Sequence, residues 1–291
     1  MDFDLTEEQR LLKESLDRLL GDHYAFEQRK SYAQAPEGWS RELWATYAEL
    51  GLLGLPFAEE YGGSAGGPVE TMIAMDGFGR ALALEPFLAT VVLGGGFLRN
   101  GGSAEQCAEL VPRIADGRLT MAFAQTERHS RYNLADISTR AMHDGAAWVL
   151  DGEKGVVLHG DTADKLVVTA RVDGGQRDRD GVAVFVVDGD TEGVSRRGYP
   201  TQDGLRAAEV TLTGVRVGPE GVIGEPGGAL PLVERVVDEA IAALCAEAVG
   251  AMAAMHEITL DYLKTRRQFG REIGSFQLLQ HRAVDMLIAL E

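Results

Sequence analysis

Apolar positions near the start of the chain recur with a helical spacing. Thr6 and Gln9 form a capping-box pair just ahead of the run. Leu12, Leu16 and Leu19 then fall on one face, and Gly21 is placed to stop the helix. Helical spacing continues over residues 41–50, 69–82, 86–99 and 104–115. Ahead of 69–82 comes Gly51-Leu52-Leu53-Gly54-Leu55-Pro56, then Glu59-Glu60-Tyr61-Gly62-Gly63, a loop rich in turn formers. Near Asp116-Gly117 the apolar period shortens from about 3.6 to about 2. Strands are predicted over 119–125, 147–151, 155–158, 165–171, 182–187 and 208–213, punctuated by Gly, Asp and Asn as in an antiparallel barrel or sandwich. Residues 173–181 predict an exposed hairpin loop. The helical period returns after Gly224-Glu225-Pro226-Gly227-Gly228, first over 229–264 and again from Phe276, through Leu279, Ala283, Met286, Leu287 and Leu290. The last pattern stops at Glu291 without Gly, Pro or cap, which predicts a helical bundle cut through and a longer parent sequence. The expected class is α+β: a helical domain over 1–117, a β-domain over 118–224, and an incomplete helical domain over 225–291.

Charge narrows the functional classes. Against 28 Lys+Arg stand 45 Asp+Glu in 291 residues, a net charge of −17. So acidic a surface argues against broad contact with nucleic acid or an anionic membrane. Cys107 and Cys245 lie among helix-forming residues, outside any Cys-x-x-Cys pair, and read as buried structural thiols. The acidic N-terminus does not resemble a signal peptide, and no window approaches roughly 18 continuous apolar residues. A reducing cytoplasm is the expected compartment. One stretch runs against the general acidity. Lys264, Arg266, Arg267 and Arg271 place four cations in eight residues without an anion. Arginine forks suit a pyrophosphate bidentately, Phe269 adds an apolar face and Gly270 lets the backbone turn. A solvated cationic helix end accounts for the same residues.

Four segments in this order carry a family resemblance: residues 51–63 with their Glu-Glu-Tyr-Gly-Gly ending, Met121-Ala122-Phe123-Ala124-Gln125-Thr126-Glu127, Gly204-Leu205-Arg206-Ala207, and Arg266-Arg267-Gln268-Phe269-Gly270. Ile273, Phe276, Gln277, Gln280 and His281 extend the last. Together they resemble the acyl-CoA dehydrogenase family over the whole chain. They are most similar to its divergent bacterial type, such as the small subunit of pimeloyl-CoA dehydrogenase and the heteromeric dehydrogenases of sterol side-chain degradation. The resemblance implies an N-terminal helical domain, a middle β-domain and a C-terminal four-helix bundle. It implies FAD as cofactor and conversion of an acyl-CoA to a trans-2-enoyl-CoA, with an electron-transferring flavoprotein as a candidate acceptor. Phe123, Gln125 and Thr126 then meet the isoalloxazine, and Leu158 offers backbone groups to flavin N5 and O4. Arg266, Gln268 and Phe269 match residues that contact the FAD of a neighbouring subunit, so a homo- or hetero-oligomer, a dimer of dimers, is implied. Asn133, Arg206 and Asp238 take substrate-side positions, with a loop-holding ion pair the alternative for Arg206.

The sequence departs from the family at three places. Residues 126–133 read Thr-Glu-Arg-His-Ser-Arg-Tyr-Asn where relatives carry Thr-Glu-Pro-Gly-x-Gly-Ser. Val156-Val157-Leu158-His159-Gly160 replaces Trp-Ile-Thr-Asn-Gly, and His159 reads as structural. The third departure concerns the base. Dehydrogenation needs a carboxylate within hydrogen-bond reach of the substrate α carbon. Most relatives place it on a segment beyond residue 291. A minority use the long helix, at the position of Ala240. Glu239 is adjacent, but one position turns a side chain by about 100°. Ile241 replaces the Arg that normally follows. No catalytic residue is assigned, and three readings stand: a dehydrogenase subunit, a non-catalytic partner that completes another chain's FAD site, or a flavin-dependent oxidase or monooxygenase of the same fold. The rebuilt segments suggest a bulky or dicarboxylic acyl group.

Overall fold

A computed structural model describes residues 4–291. Its helices are α1 (Glu7–His23), α2 (Phe26–Ala33), α3 (Arg41–Glu49), α4 (Pro68–Ala81), α5 (Gly95–Gly101) and α6 (Ala104–Ala115). The strands β1 (Met121–Ala124), β2 (Arg140–His143), β3 (Trp148–Leu158), β4 (Lys165–Arg171), β5 (Val182–Asp188), β6 (Val194–Pro200), β7 (Arg206–Val217) and β8 (Val222–Gly227) follow. Helix α7 (Leu230–Thr265), the short strands β9 (Arg267–Gln268) and β10 (Arg271–Glu272), and helix α8 (Gln277–Leu290) complete the order. Among the described residues, no helix is long and apolar enough to cross a membrane. The chain gathers into two compact units, each drawn from separated stretches.

The first unit takes the residues up to Arg29, Val69–Ala83 and Ala242–Glu291. Its capping box forms as the sequence requires: the Thr6 hydroxyl accepts from Gln9 N at 3.2 Å, and Gln9 Oε1 accepts from Thr6 N at 3.0 Å. Gly21 does not end α1. The helix runs to His23, and the buried Tyr24 donates its N–H to Leu20 O at 2.8 Å. A buried aromatic just past the helix end holds the last turn, so no glycine is needed. Leu16 and Leu20, rather than Leu12 and Leu19, are the buried positions. Helix α2 has no buried residue, which is why no apolar period betrays it.

Helices α4 and α7 cross on a pair of glycines. A Cβ added to Gly79 would fall inside the contact radius of the Glu247 carbonyl oxygen, and one added to Gly250 would do the same to Asp76 O. Arg80 reaches across to Glu257 at 2.7 Å. Glycine in a helix normally costs up to about 1 kcal/mol relative to alanine. Here the backbones meet too closely for a methyl, and overpacking costs about 1–3 kcal/mol. Gly79→Ala and Gly250→Ala are therefore expected to lower stability, where propensity alone would raise it. The sign of the shift in thermal midpoint decides between the two effects.

Cys245 corrects an expectation. Cys107 is buried and donates its thiol to Leu98 O at 3.4 Å, but Cys245 is exposed. It shares the outer side of α7 with the exposed Ile241, Leu244 and Val249, so the helical surroundings that suggested burial belong to an outward face.

The second unit comprises Lys30–Pro68 and Leu84–Ile241. Its eight-stranded sheet has the order β6-β7-β3-β2-β4-β5-β8, with β1 paired to β4. Most pairings are antiparallel, but β1 lies parallel to β4, and β2 meets β4 at one parallel pair, Arg140 with Arg171. Leu150, Val157, Leu166, Val168, Phe185, Val210 and Val215 build the core between its faces. The two predicted strands 147–151 and 155–158 are one strand, β3, whose register against β7 shifts at Gly152 and again between Lys154 and Val157. Strands β2, β6 and β8 were not foreseen because most of their residues are at least partly exposed and lack a clean alternation. The predicted helix 86–99 is also rebuilt. Residues Leu88–Gly94 wind as a π-helix before α5 begins. The Thr90 hydroxyl explains part of this, because it donates to Met121 O at 3.2 Å and accepts from Met121 N at 3.1 Å. A widened turn at this place docks helix to strand where the candidate site begins.

Candidate functional site

Strand β1 leads directly into Gln125, Thr126 and Glu127, and these three residues define the candidate site. Phe123 is half-buried, its ring 4.7 Å from that of Phe97 on α5. Gln125 is buried and donates Nε2 to Leu134 O at 3.2 Å. Thr126 O accepts from Gly155 N at 2.8 Å, while its half-buried hydroxyl has no partner among the described residues.

Beneath them lies a buried ion pair. Lys154 Nζ donates to Glu127 Oε1 at 2.7 Å, with both side chains almost wholly enclosed. The same ammonium reaches Gln125 O at 3.3 Å and Thr169 Oγ1 at 3.2 Å, so its three hydrogens are all used. Glu127 also accepts from Ser138 N at 2.8 Å, from the Ser138 hydroxyl, and from Thr139 N and Oγ1 at 3.1 and 2.7 Å. Burial pushes the Glu127 carboxyl up, but the Lys154 charge and these hydrogen bonds outweigh it and hold it at about 2. Burial likewise pulls Lys154 down, to about 8, against the opposing pull of Glu127. The sequence reading missed this pair, although a signal was present. Lys154 shares the parity of Leu150 in an alternating strand, and an inward lysine requires an acid.

The rebuilt loop 128–133 is tied to its own backbone. Ser130 N and Oγ both bond to the Glu127 main chain, and Asn133 Oδ1 accepts from Ala135 N at 3.1 Å. Asn133 is exposed, and the contact its side chain makes is local. His129 Nε2 lies 3.1 Å from Asp136 Oδ1, and Asp136 is further held by Gln176 and Arg177.

On β3 the bulge turns Val156 outward, 54% exposed, and leaves Val157 in the core. Val156 has φ +52° and His159 +54°, left-handed values uncommon outside glycine and rarest for a β-branched residue such as Val156. His159 N donates to Arg206 O at 2.8 Å. Alternation along the ladder then turns the N–H and C=O of Leu158 to the edge away from β7. His159 is buried, and burial takes its ring down to about 4, so it is neutral near pH 7. Arg206 is ion-paired to Asp161.

Helix α7 carries the remaining second-unit positions. Ala240 is buried and Asp238 is exposed. Glu239 is committed elsewhere: Arg99 Nη2 donates to its Oε2, as does Asn100 Nδ2 at 3.1 Å. Ala240 carries no carboxyl group, and that of Glu239 is turned to Arg99 and Asn100.

In the first unit α7 ends at Thr265, and the cationic stretch continues as a hairpin rather than as a helix end. Phe269 and Gly270 form its two-residue turn with φ +53° and +79°, as this hairpin type requires. Arg266, Gln268 and Phe269 are all exposed, Phe269 to 90%. Arg271 covers the Phe276 ring at 4.1 Å.

Family models described as the acyl-CoA dehydrogenase N-terminal, middle and C-terminal domains match residues 6–118, 122–215 and 231–291 in turn. The "Probable acyl-CoA dehydrogenase YngJ" of Bacillus subtilis is 28% identical over 296 aligned residues, covering 100% of this chain and 77% of that protein. Among solved structures, a variant of the Tcur3481-Tcur3483 steroid ACAD is 30% identical with a TM-score of 0.87, covering 98% of this chain and 74% of that one. The ChsE4-ChsE5 complex from Mycobacterium tuberculosis is 26% identical with a TM-score of 0.89, covering 100% and 76%.

Proposed function

This chain belongs to the acyl-CoA dehydrogenase family, and from that premise we propose that it is an FAD-binding subunit acting in the α,β-dehydrogenation of an acyl-CoA. Family members are FAD-dependent oxidoreductases acting on CH–CH bonds. The observation that carries the reading is the end of β1. Thr126 keeps a free, half-buried hydroxyl, and the backbone around it is pinned by Lys154 and Gly155. A fixed donor beside a half-buried aromatic fits the polar edge and apolar face of a flavin. Phe123, Gln125, Thr126 and the backbone of Leu158 would hold the isoalloxazine. Arg266, Gln268 and Phe269 would reach the cofactor of a neighbouring protomer. Bound FAD would supply the hydride acceptor. The protein's part is to orient the ring, exclude water and fix the thioester, with Asp238 toward the CoA moiety.

A second reading, a partner subunit in a heteromer, is favoured by one observation. The α7 base position is a buried alanine, and Glu239 beside it is tied to Arg99 and Asn100. The names of the steroid ACAD and of the ChsE4-ChsE5 complex, each pairing two proteins, agree with such an assembly. Anaerobic titration of the purified protein with FAD and then a panel of acyl-CoAs separates the two. The dehydrogenase reading expects flavin bound and bleached by acyl-CoA. Flavin bound and bleached overturns the partner-subunit reading, flavin bound but bleached by none of the panel supports it, and no flavin bound overturns the dehydrogenase reading. Rapid oxygen consumption on bleaching would move the protein to the oxidase class.

A further inference from the structure

Arg206 is held from two distant stretches of the second unit, residues 159–161 and the turn at Gly38. Its Nε donates to Asp161 Oδ2 at 2.7 Å, and Nη2 donates to the same oxygen. Its carbonyl takes the His159 N–H. Its aliphatic stem lies under Gly38, where φ is +78° and an added Cβ would come within 2.6 Å of Arg206 Cγ. A guanidinium that spends two donors on one buried carboxylate, with its stem covered by backbone, is built to stay in place. The Asp161 side chain is only 8% exposed, so the pair is shielded from competing water and salt.

What the pair holds matters more than the pair itself. Asp161 and Arg206 flank the segment that carries Val156 and His159 at left-handed φ on either side of Leu158. Left-handed backbone at residues other than glycine costs about 1–3 kcal/mol each and persists only where the surroundings over-determine it. Here the tie at the far end is the His159–Arg206 hydrogen bond together with the Asp161–Arg206 ion pair two residues on. His159 itself adds no charge to compete for Asp161, because its buried ring is neutral.

We infer that Asp161 and Arg206 form a bolt that positions residues 156–159 for the flavin, which makes Arg206 a positioning residue rather than a substrate ligand. The inference rests on the flavin reading proposed above. It assigns a role to Asp161, which lies outside the four family segments.

The test uses Asp161→Asn, Arg206→Met, the double variant and Arg206→Lys in the full chain. Each protein is measured for FAD dissociation constant by flavin fluorescence. Amide hydrogen exchange over residues 156–162 is measured separately without added flavin. The bolt expects each of the first two variants to weaken FAD binding about tenfold, equivalent to about 1.4 kcal/mol. The double variant should be no worse than the weaker single, since both remove one interaction. Exchange at His159 should rise in both singles, and Arg206→Lys should recover part of each effect. Unchanged exchange and unchanged FAD affinity in Arg206→Met, with a raised KM for acyl-CoA, would make Arg206 a substrate ligand and overturn the inference. So would a silent Asp161→Asn. Should Arg206→Met fail to fold, Asp161→Asn and Arg206→Lys still decide. If the unaltered protein binds no FAD, the flavin reading fails by itself, while the exchange data still report whether the bolt holds the segment.

Discussion

Glu127→Gln is expected to lower the unfolding free energy by about 3–5 kcal/mol, the cost of leaving one member of a buried ion pair behind. Lys154 has no exposed surface, and its other two acceptors, Gln125 O and Thr169 Oγ1, are neutral. Without the carboxylate, the ammonium must stay charged without a counter-ion or give up its proton. The variant also weakens the acceptor for the Ser138 and Thr139 amides. Lys154→Met made in the Glu127→Gln background should cost much less than in the native chain, because the penalty belongs to the pair. Urea unfolding of the four proteins gives the coupling directly, and additive effects would refute it. The pH dependence has a definite sign. Glu127 has a folded pKa of about 2 against an ordinary 4.5. Its contribution is therefore fully present above pH 4.5 and is lost as pH falls from there toward 2. Native and variant stabilities should converge across that window, and a gap of constant size would contradict the assignment. Gln125 and Thr126 sit on this pair, so the variant should also lose flavin affinity.

Arg171→Met should cost about 4 kcal/mol, and the damage should be local. Arg171 is fully buried, yet it forms no ion pair among the described residues. Its guanidinium instead donates to four main-chain carbonyls: Nη1 to Asp178 O at 2.9 Å and Asp180 O at 2.6 Å, Nη2 to Ala135 O at 2.6 Å and Gln176 O at 3.0 Å. Hydrogen bonds from a charged donor contribute about 1.5–3 kcal/mol each, and their carbonyls would be left without this donor. One side chain thus organises the 173–181 loop from inside and ties it to Ala135, next to the 128–133 loop. Ile137 N, which donates to Gln176 O at 3.0 Å, should exchange faster in the variant together with the 173–181 amides. Arg171→Lys should recover little, since a point ammonium cannot serve four acceptors spread around a planar fork. Denaturant unfolding combined with exchange mapping tests both parts. A uniform loss of protection over the whole unit would argue against the organising role.

The parts of the fold that the sequence made legible share one property: the residues concerned face one environment along a whole element. Helix α6 spans the residues its spacing predicts, because Cys107, Leu110, Val111 and Ile114 fill one buried stripe. Strand β4 does too, because it is buried along most of its length. The family motifs were equally legible, since each is a short run whose chemistry is local. Strands β6 and β8 were hidden because exposed strands carry no apolar alternation, and Gly152 concealed the continuity of β3 because a bulge breaks the period without ending the strand.

By itself, then, the sequence determined the succession of a helical, a strand-rich and a second helical region, the capping box at Thr6, the cationic stretch around Arg266 and the family. Periodicity and short motifs act within a few residues of chain, and so they survive being read one residue at a time. Tertiary structure decided which charges answer which. Lys154 finds Glu127 across 27 residues of chain, Arg206 finds Asp161 across 45, and Arg99 claims Glu239 across 140. Each pairing depends on where the backbone crosses itself in a low-dielectric interior, and there a charge must find a partner whatever its distance along the chain.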